Sequence, residues 1–425
     1  MTPVVQIELN EVNFDFVRAY MDSGALPNFA ELIGRYGVAE TASEERYEEL
    51  EPWIQWVTAH TGLTFAEHGV FRLGDIVKRT DLVQIWEQLE GRGHSVAAMS
   101  PMNAHNAVRE APFFVPDPWT DTRFSGGPGL ERLYQAIRQT VNDNASGRLA
   151  PSSAWHLARG VLSSCRTDEF ADLLRLAGGA VRGRWRKSIF LDMFLAALFL
   201  RLWEKHRPDF ATLFLNGAAH IQHHYIFSSG VYDGPHRNPA WYVPEKADPL
   251  LEVYQAYDRI LGRVLARAPG ARVILATGLH QDPEPDPIYY WRPKNHARLL
   301  EKLGITFESV EPRMSRDFLV HFATPQDLAR AENVLDAIQL SGKSVFQLET
   351  RGSELFAQLV YPDALREGSF LEGPGDAGSI DLFRETAFVA LKNGRHNGIG
   401  YLVDTQTPGL DGRRMPLAEM PRLVS

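Results

Sequence analysis

The apolar positions of the chain follow two rhythms, and their order predicts most of the elements. Val4 to Leu9 is apolar nearly throughout and ends in a polar cluster, Glu8, Asn10, Glu11 and Asn13, as a strand buried on both faces of a parallel sheet reads where it leaves the core. Phe14 to Tyr20 and Leu26 to Tyr36 repeat at three and four residues, the helical period. A Glu-rich polar loop, Glu40 to Leu50, leads to Pro52 and a helix beginning over Trp53 to Thr58, then to the Gly-punctuated segment HTGLTFAEHGVFRLGD. Leu82 to Leu89 reads as helix and Ser95 to Met99 as a short buried strand stopped at Ser100 and Pro101. Strand and helix therefore alternate, which predicts a parallel sheet.

From Gly126 to Lys205 the period is helical without clear strands, through Leu130 to Val141, Ala154 to Leu162, Asp168 to Leu176 and Ile189 to Trp203, and predicts a helical cap inserted at 126–205. Phe210 to Phe227 is a short apolar strand, a break at Asn216 and Gly217, and a helix. A loop from Ser228 to Pro249, a long amphipathic helix from Leu250 to Ala266 and the strand Ala271 to Thr277 make one more sheet unit, followed by a solvated Pro-rich turn over Asp282 to Asp286. Between Ser315 and Tyr361 the order becomes strand, helix, strand, strand, a small α+β lobe set at 312–368. The chain closes with apolar strands on either side of a Gly-flanked loop that holds His396. The core is thus expected in 1–125, 206–311 and 369–425.

At 425 residues and 44% hydrophobic content the chain can bury a large core. A net charge of -9 and a pI near 5.9 exclude general attraction to nucleic acid or acidic membranes, although Arg182 to Lys187 is locally basic. One cysteine, Cys165, excludes an internal disulfide framework, and the N-terminal residues enter a strand without a charged leader; both favour a cytoplasmic location. The most apolar run, Ile189 to Trp203, is broken by Asp192 and Arg201 and falls short of the roughly 20 residues of a membrane span, so no stable membrane insertion is expected.

Candidate chemistry centres on His220, His223 and His224, which helical spacing brings towards one face just beyond the carboxyl end of a strand, where open α/β sheets bind ligands. Glu8 inside an apolar strand calls for a partner cation or metal, or else for an edge position in water. Asn10 is placed either to orient a substrate or water or to make a turn. His280, next to the Pro-rich turn, is divided between a site role and an ordinary loop role. His68 is expected to make a structural hydrogen bond at the Gly69 turn, and His60 is left open. Lys392 and Arg395 flank His396 and could hold an anion; His236, with Trp241, could close over a ligand.

The order of these pieces resembles the alkaline phosphatase superfamily, in its type I phosphodiesterase/nucleotide pyrophosphatase-like branch. Val4 to Asn13 resembles the opening strand and turn; LPNFAEL at Leu26 to Leu32 is similar to LPNLxxL; VTAHTGLTFAEHGVF at Val57 to Phe71 is similar to FVTGxxPxxHGIF. Pro208 to Tyr225 resembles the strand with the DxxxH metal motif, Leu251 to Leu265 the helix after it, Val273 to Leu279 the SDHG strand end, and His396 the last metal-binding histidine. The resemblance implies an α/β fold, a mostly parallel sheet sandwiched by helices, and a two-metal site in which a Thr or Ser attacks a phosphate or sulfate ester. Several implied residues are replaced: Asn10 and Ala219 stand where aspartates are implied, Gly278 and Leu279 where Asp and His are implied, and Ile54 at the nucleophile position. His223 and His396 remain, and an isoleucine has no nucleophilic atom.

Candidates for rebuilding the site are His220, His224 and His280, Glu8 and Glu11 beside Asn10, and His60. Loss of carboxylates with gain of histidines suits one imidazole-bound divalent metal, zinc first, iron or manganese otherwise. The expectation is a metal-dependent hydrolase-like enzyme for a small phosphorylated or anionic substrate, with His223, His396, His220 and His224 as metal residues, Asn10, Glu8 and His280 catalytic, and Lys392, Arg395 and His236 on the substrate. Alternatives are a one-metal redox or lyase enzyme, with Glu8 or Glu11 as the carboxylate, and an inactive ligand-binding relative.

Overall fold

Strand β1 (Val4–Leu9) is buried at every position and lies near the middle of an eight-stranded sheet. The computed structural model describes residues 2–142, 151–313 and 316–424, so 143–150 of the expected cap and 314–315 lie outside the described residues. The other strands of this sheet are β2 (Ala39–Ala42), β3 (Val96–Met99), β4 (Phe114–Val115), β5 (Phe210–Leu215), β6 (Arg272–Ala276), and, late in the chain, Ile399–Asp404 and Arg414–Pro416. β1 pairs in parallel with β5 on one side, Val4 opposite Phe210, and with β6 on the other, Val4 opposite Arg272. β3 continues the parallel set beyond β5. Ile399–Asp404 alone runs against its neighbours, β2 and β6. The sheet is mostly parallel and flanked by helices, as the alternation predicts; within the expected Glu40–Leu50 loop, the start is instead strand β2.

Two compact units emerge, 1–283 with 394–425, and 284–393. In the first, helix α1 (Phe14–Asp22) starts at Asn13, whose side chain accepts from the Asp15 and Phe16 amides. Helix α2 (Pro27–Tyr36) has proline in its first turn and is tied to helix α9 (Pro249–Arg267) through Asp258, which accepts from the Phe29 amide at 2.9 Å and from Asn28 at 2.7 Å. Helix α3 (Pro52–Thr61) begins on Pro52 and ends at Gly62 in the left-handed region. The cap comprises α4 (Pro128–Asn142), α5 (Pro151–Ser164), α6 (Thr167–Gly179) and α7 (Arg186–His206). It belongs to the first unit because α9 holds it with arginines: Arg267 reaches Glu169 at 2.7 Å and Glu204 at 2.8 Å, and Arg263 reaches Asp172 at 2.7 Å. Helix α8 (Gly217–Tyr225) follows β5 directly.

The second unit has its own core, in which Trp291, Phe318, Val320, Leu335, Leu355 and Leu359 are buried. Four antiparallel strands, in the order Phe346–Arg351, Glu354–Leu359, Asp317–His321 and Ser309–Pro312, carry the helix Pro325–Asp336. The stretch expected as an α+β lobe, 312–368, falls within this unit, whose core also takes in Trp291, Leu299 and Leu382. The connection between units is a ribbon of two strands, β7 (His280–Pro293) and Thr386–Asn397. The Pro-rich stretch 282–286 is therefore strand rather than turn, and His396 lies on a strand rather than in a loop. A two-stranded ribbon leaves each strand one unpaired edge, where a proline, having no N–H to donate, costs no ladder bond.

Candidate metal centre

The carboxyl ends of the central strands converge where the chain must turn. After β1, Asn10 and Glu11 are both buried, and Glu11 takes a left-handed backbone with φ of 60°. That conformation is costly for a side chain with a Cβ and persists where neighbours impose it. Here they do: the Gln222 amide donates to the Glu11 carbonyl at 2.6 Å, and the Glu11 amide donates to the Thr277 carbonyl at 3.1 Å. The Gln222 side chain also accepts from the Asn13 amide at 3.0 Å and from the Tyr254 hydroxyl at 2.6 Å.

The turn aims the Glu11 carboxylate at two imidazoles. His223, in the last turn of α8, brings Nε2 to 3.3 Å from Glu11 Oε2, and His396 brings Nε2 to 3.1 Å. The two Nε2 atoms are 3.3 Å apart. His223 Nδ1 faces the Gly394 carbonyl at 3.3 Å, which assigns the proton to Nδ1 and leaves the Nε2 lone pair for the centre. Gln281 Nε2 donates to Glu11 Oε2 and, at 3.0 Å, to the Ala219 carbonyl. Asn10 Nδ2 donates to Glu11 Oε1 at 2.9 Å. Burial alone would raise Glu11, but the fields of His396 and His223, when those imidazoles carry a proton on each nitrogen, outweigh it and hold the carboxyl well below the usual carboxylate range. Glu11, His223 and His396 are the group whose ligand atoms come together for a metal ion among the described residues.

The remaining expected residues are placed as follows. His220 is exposed and its ring lies 5.2 Å from that of His224, so these two associate with each other, off the convergence point. Helical spacing alone did not separate them from His223; the 300° advance from 220 to 223 turns the ring towards β1. His280 has Nδ1 at 2.6 Å from the Ile399 carbonyl, which joins two strands, and Nε2 at 3.1 Å from Asp282 Oδ1 on its own strand, so both nitrogens are occupied. Asn10 accepts from the Trp56 indole at 2.7 Å and donates to Glu11 and, at 2.8 Å, to Asn216 Oδ1, a buried tie rather than a group presented to solvent.

Glu8 is fully buried away from the centre, on the face that meets α3, with His60 Nε2 at 3.0 Å and Gln6 at 2.7 Å; its partner is an imidazole, not a metal site. Lys392 pairs with Glu284 in the second unit. Arg395 is exposed, and the His236 ring packs 5.3 Å from Phe227. His68 has the structural role expected of it: Nδ1 accepts from the Val70 amide at 3.0 Å, Nε2 lies 3.1 Å from Thr58 Oγ1, and burial lowers it to about 4.

The positions at which the resemblance implies other ligands or a nucleophile hold apolar residues and a glycine. Ile54, Ala219 and Leu279 are buried apolar residues, and Gly278, at φ of 73°, has the Trp56 indole against it: a Cβ there would meet the ring at 3.1 Å. The residues that sequence reasoning passed over are Gln222 and Gln281, the clamps of Glu11. The pattern offers no signal for them beyond their places beside His223 and His280.

No family model matches the chain, and no curated protein matches it. Solved structures similar to it include phosphonoacetate hydrolase from Sinorhizobium meliloti in complex with phosphonoformate (12% identity, 99% of this chain and 94% of that chain, TM-score 0.43). Others are murine ectonucleotide pyrophosphatase / phosphodiesterase 5 in complex with AMP (11%, 100% and 94%, TM-score 0.39) and TAB5 alkaline phosphatase with magnesium bound (11%, 99% and 96%, TM-score 0.40). All three are members of the alkaline phosphatase superfamily.

Proposed function

We propose that Glu11, His223 and His396 hold one divalent metal ion and that the chain is a mononuclear, hydrolase-like enzyme for a small phosphorylated or otherwise anionic substrate. The observation that supports this is the spacing of the three donor atoms, 3.1, 3.3 and 3.3 Å. Metal–ligand bonds of about 2.1 Å put neighbouring ligands about 3.0 Å apart in an octahedron and about 3.4 Å apart in a tetrahedron, and the three separations fall between. Two imidazoles and one carboxylate are a ligand set known for catalytic zinc, with further positions left open for water or substrate.

When bound, such an ion supplies a Lewis acid and a water acidic enough to ionise near neutral pH. The chain's own part is orientation. Gln281 and Asn10 fix the two oxygens of Glu11, the Gly394 carbonyl fixes the tautomer of His223, and Glu51 stands 3.9 Å from His396 Nδ1. With Ile54 at the implied nucleophile position, attack by water replaces a covalent protein intermediate. Arg395, exposed beside His396, is the residue proposed to meet the anion. Zinc is the first choice of metal, iron or manganese the next, and the single cysteine fits a reducing cytoplasm.

Elemental analysis of the purified protein tests the proposal. Stoichiometric zinc, iron or manganese in the parent chain should fall away in Glu11→Gln, His223→Ala and His396→Ala, together with turnover in a screen of phosphate mono- and diesters. Equal metal affinity in parent and variants would sink it. The same ligand set also suits ferrous iron in oxygen chemistry, and oxygen uptake that depends on added ferrous iron would favour that second reading.

A further inference from the structure

Beside the candidate centre, between the strand ends and the cap, lies a cavity of about 30 Å³. A cavity of roughly 10–15 Å³ on this measure admits one water, so there is room for a small group. Its walls are largely apolar, with Val115, Ile137, Leu195 and Phe214 among them; Ser100, Asn216 and Asp192 line it too, as do the rings of Trp119 and Tyr134, the latter with its hydroxyl spent on the Asp117 carbonyl.

The hydrogen-bond network decides what those polar residues have left to offer. The Trp56 indole can only donate, so it fixes Asn10 with Oδ1 towards Trp56 and Nδ2 towards Asn216. Asn216 must then present Oδ1 to Asn10, which leaves its Nδ2 donor with no hydrogen bond among the described residues. The Ser100 hydroxyl likewise has none, although the residue is almost buried and sits in the left-handed region, φ 60°, at the end of β3. A strained residue that turns a free hydroxyl into a cavity is a feature the fold would discard if nothing used it. Asp192, in contrast, is engaged by Gly217 and Tyr257. Its carboxyl in an apolar wall disfavours a second anion.

We infer that this cavity seats a short, uncharged acyl or amide group of the substrate, its carbonyl oxygen received by Ser100 Oγ and Asn216 Nδ2. Its role as a subsite rests on the metal-centre reading; binding in the cavity does not. The two places are joined through one nitrogen, because Asn10 Nδ2 touches both Glu11 and Asn216. The substrate class that follows is an anionic head for the ion with a small neutral acyl tail.

Saturation-transfer NMR with acetamide, and separately with acetate, on metal-free full-length protein tests this. Acetamide should bind in the millimolar range and acetate about tenfold more weakly, the effect of bringing an unpaired charge into an apolar wall. Leu195→Phe and Ile137→Phe fill the cavity from different helices and should each abolish the acetamide signal, with circular dichroism confirming which of them folds. Asn216→Asp keeps the acceptor for Asn10 and removes the donor, and should weaken acetamide binding about tenfold. No acetamide signal, as for a cavity that holds only internal water, or one that survives these variants, or equal binding of acetate, would overturn the inference. Metal analysis of the same samples keeps the two readings apart: loss of the metal proposal would leave an acetamide result standing.

Discussion

Asp192 gives the chain a pH dependence that can be calculated in advance. It comes from α7, is almost wholly buried, and stands at the start of α8, where Oδ2 accepts from the Gly217 amide and the Tyr257 hydroxyl, both at 2.6 Å. A Cβ at position 217 would meet that oxygen at 2.6 Å, so glycine is what lets the carboxyl cap the helix that carries His223. Burial pushes Asp192 up to about 6 from 3.8, and the hydrogen bonds from Tyr257, Gly217 and Asn216 offset only part of the rise. The folded chain therefore holds this proton more tightly than the unfolded chain. Its contribution to stability is complete below pH 3.8 and is lost as pH rises towards 6. At about 1.4 kcal/mol per pH unit the loss comes to roughly 3 kcal/mol. Asp192→Asn retains an oxygen for both short bonds and cannot ionise. Urea unfolding of parent and variant, followed by tryptophan fluorescence at about pH 4 and about pH 7, should show the stability difference shifting by about 2.4 kcal/mol in favour of the variant, the part of that loss that falls above pH 4. A difference that is flat with pH, or that moves the other way, would refute the reasoning.

Removing one member of the buried Glu8–His60 pair, as in His60→Phe, should cost about 3–5 kcal/mol in urea unfolding, because it leaves a carboxylate in the core without its partner. The double change Glu8→Leu with His60→Phe should cost less than either charge-stranding single change, a sign of coupling that a double-mutant cycle would measure. Gly394→Ala should weaken metal binding about 10- to 100-fold in competition titrations with a chelator. Its Cβ would fall 2.9 Å from the Gln222 carbonyl and would also collide with Gln281, displacing the clamp of Glu11.

The sheet was legible because its strands are short apolar runs between helical periods, and Val4–Leu9, Phe210–Leu215 and Arg272–Ala276 fall where the pattern puts them. The helices between Pro128 and His206 were legible for the same reason. What pattern could not supply was the ribbon: Pro283 and Pro285 read as a turn because proline is excluded from paired central strands, and nothing local says that an edge is free. Within the site, His223 and His396 could be named from sequence, whereas His220 and His224 could not be set apart from them. That separation depends on the angle at which α8 leaves β5, which Asp192 fixes from a helix 25 residues upstream of Gly217. Glu11 was visible as one of several carboxylates near the strand end. Only its left-handed backbone, imposed by Gln222, distinguishes it from Glu8, which alternation turns to the opposite side.

The contact between Trp56 and Gly278 bears on what mutation can introduce. An aspartate placed at 278 would have to form its side chain in a left-handed backbone and against an indole 3.1 Å away, so Gly278→Asp alone is strained and displaces Trp56. Shrinking Trp56 first would clear the space but strip Asn10 of its indole donor and loosen the amide that steadies Glu11. Each change is harmful without the other. Positions 56 and 278 are thus tied together, and a side chain at 278 becomes accessible only with a compensating change at 56.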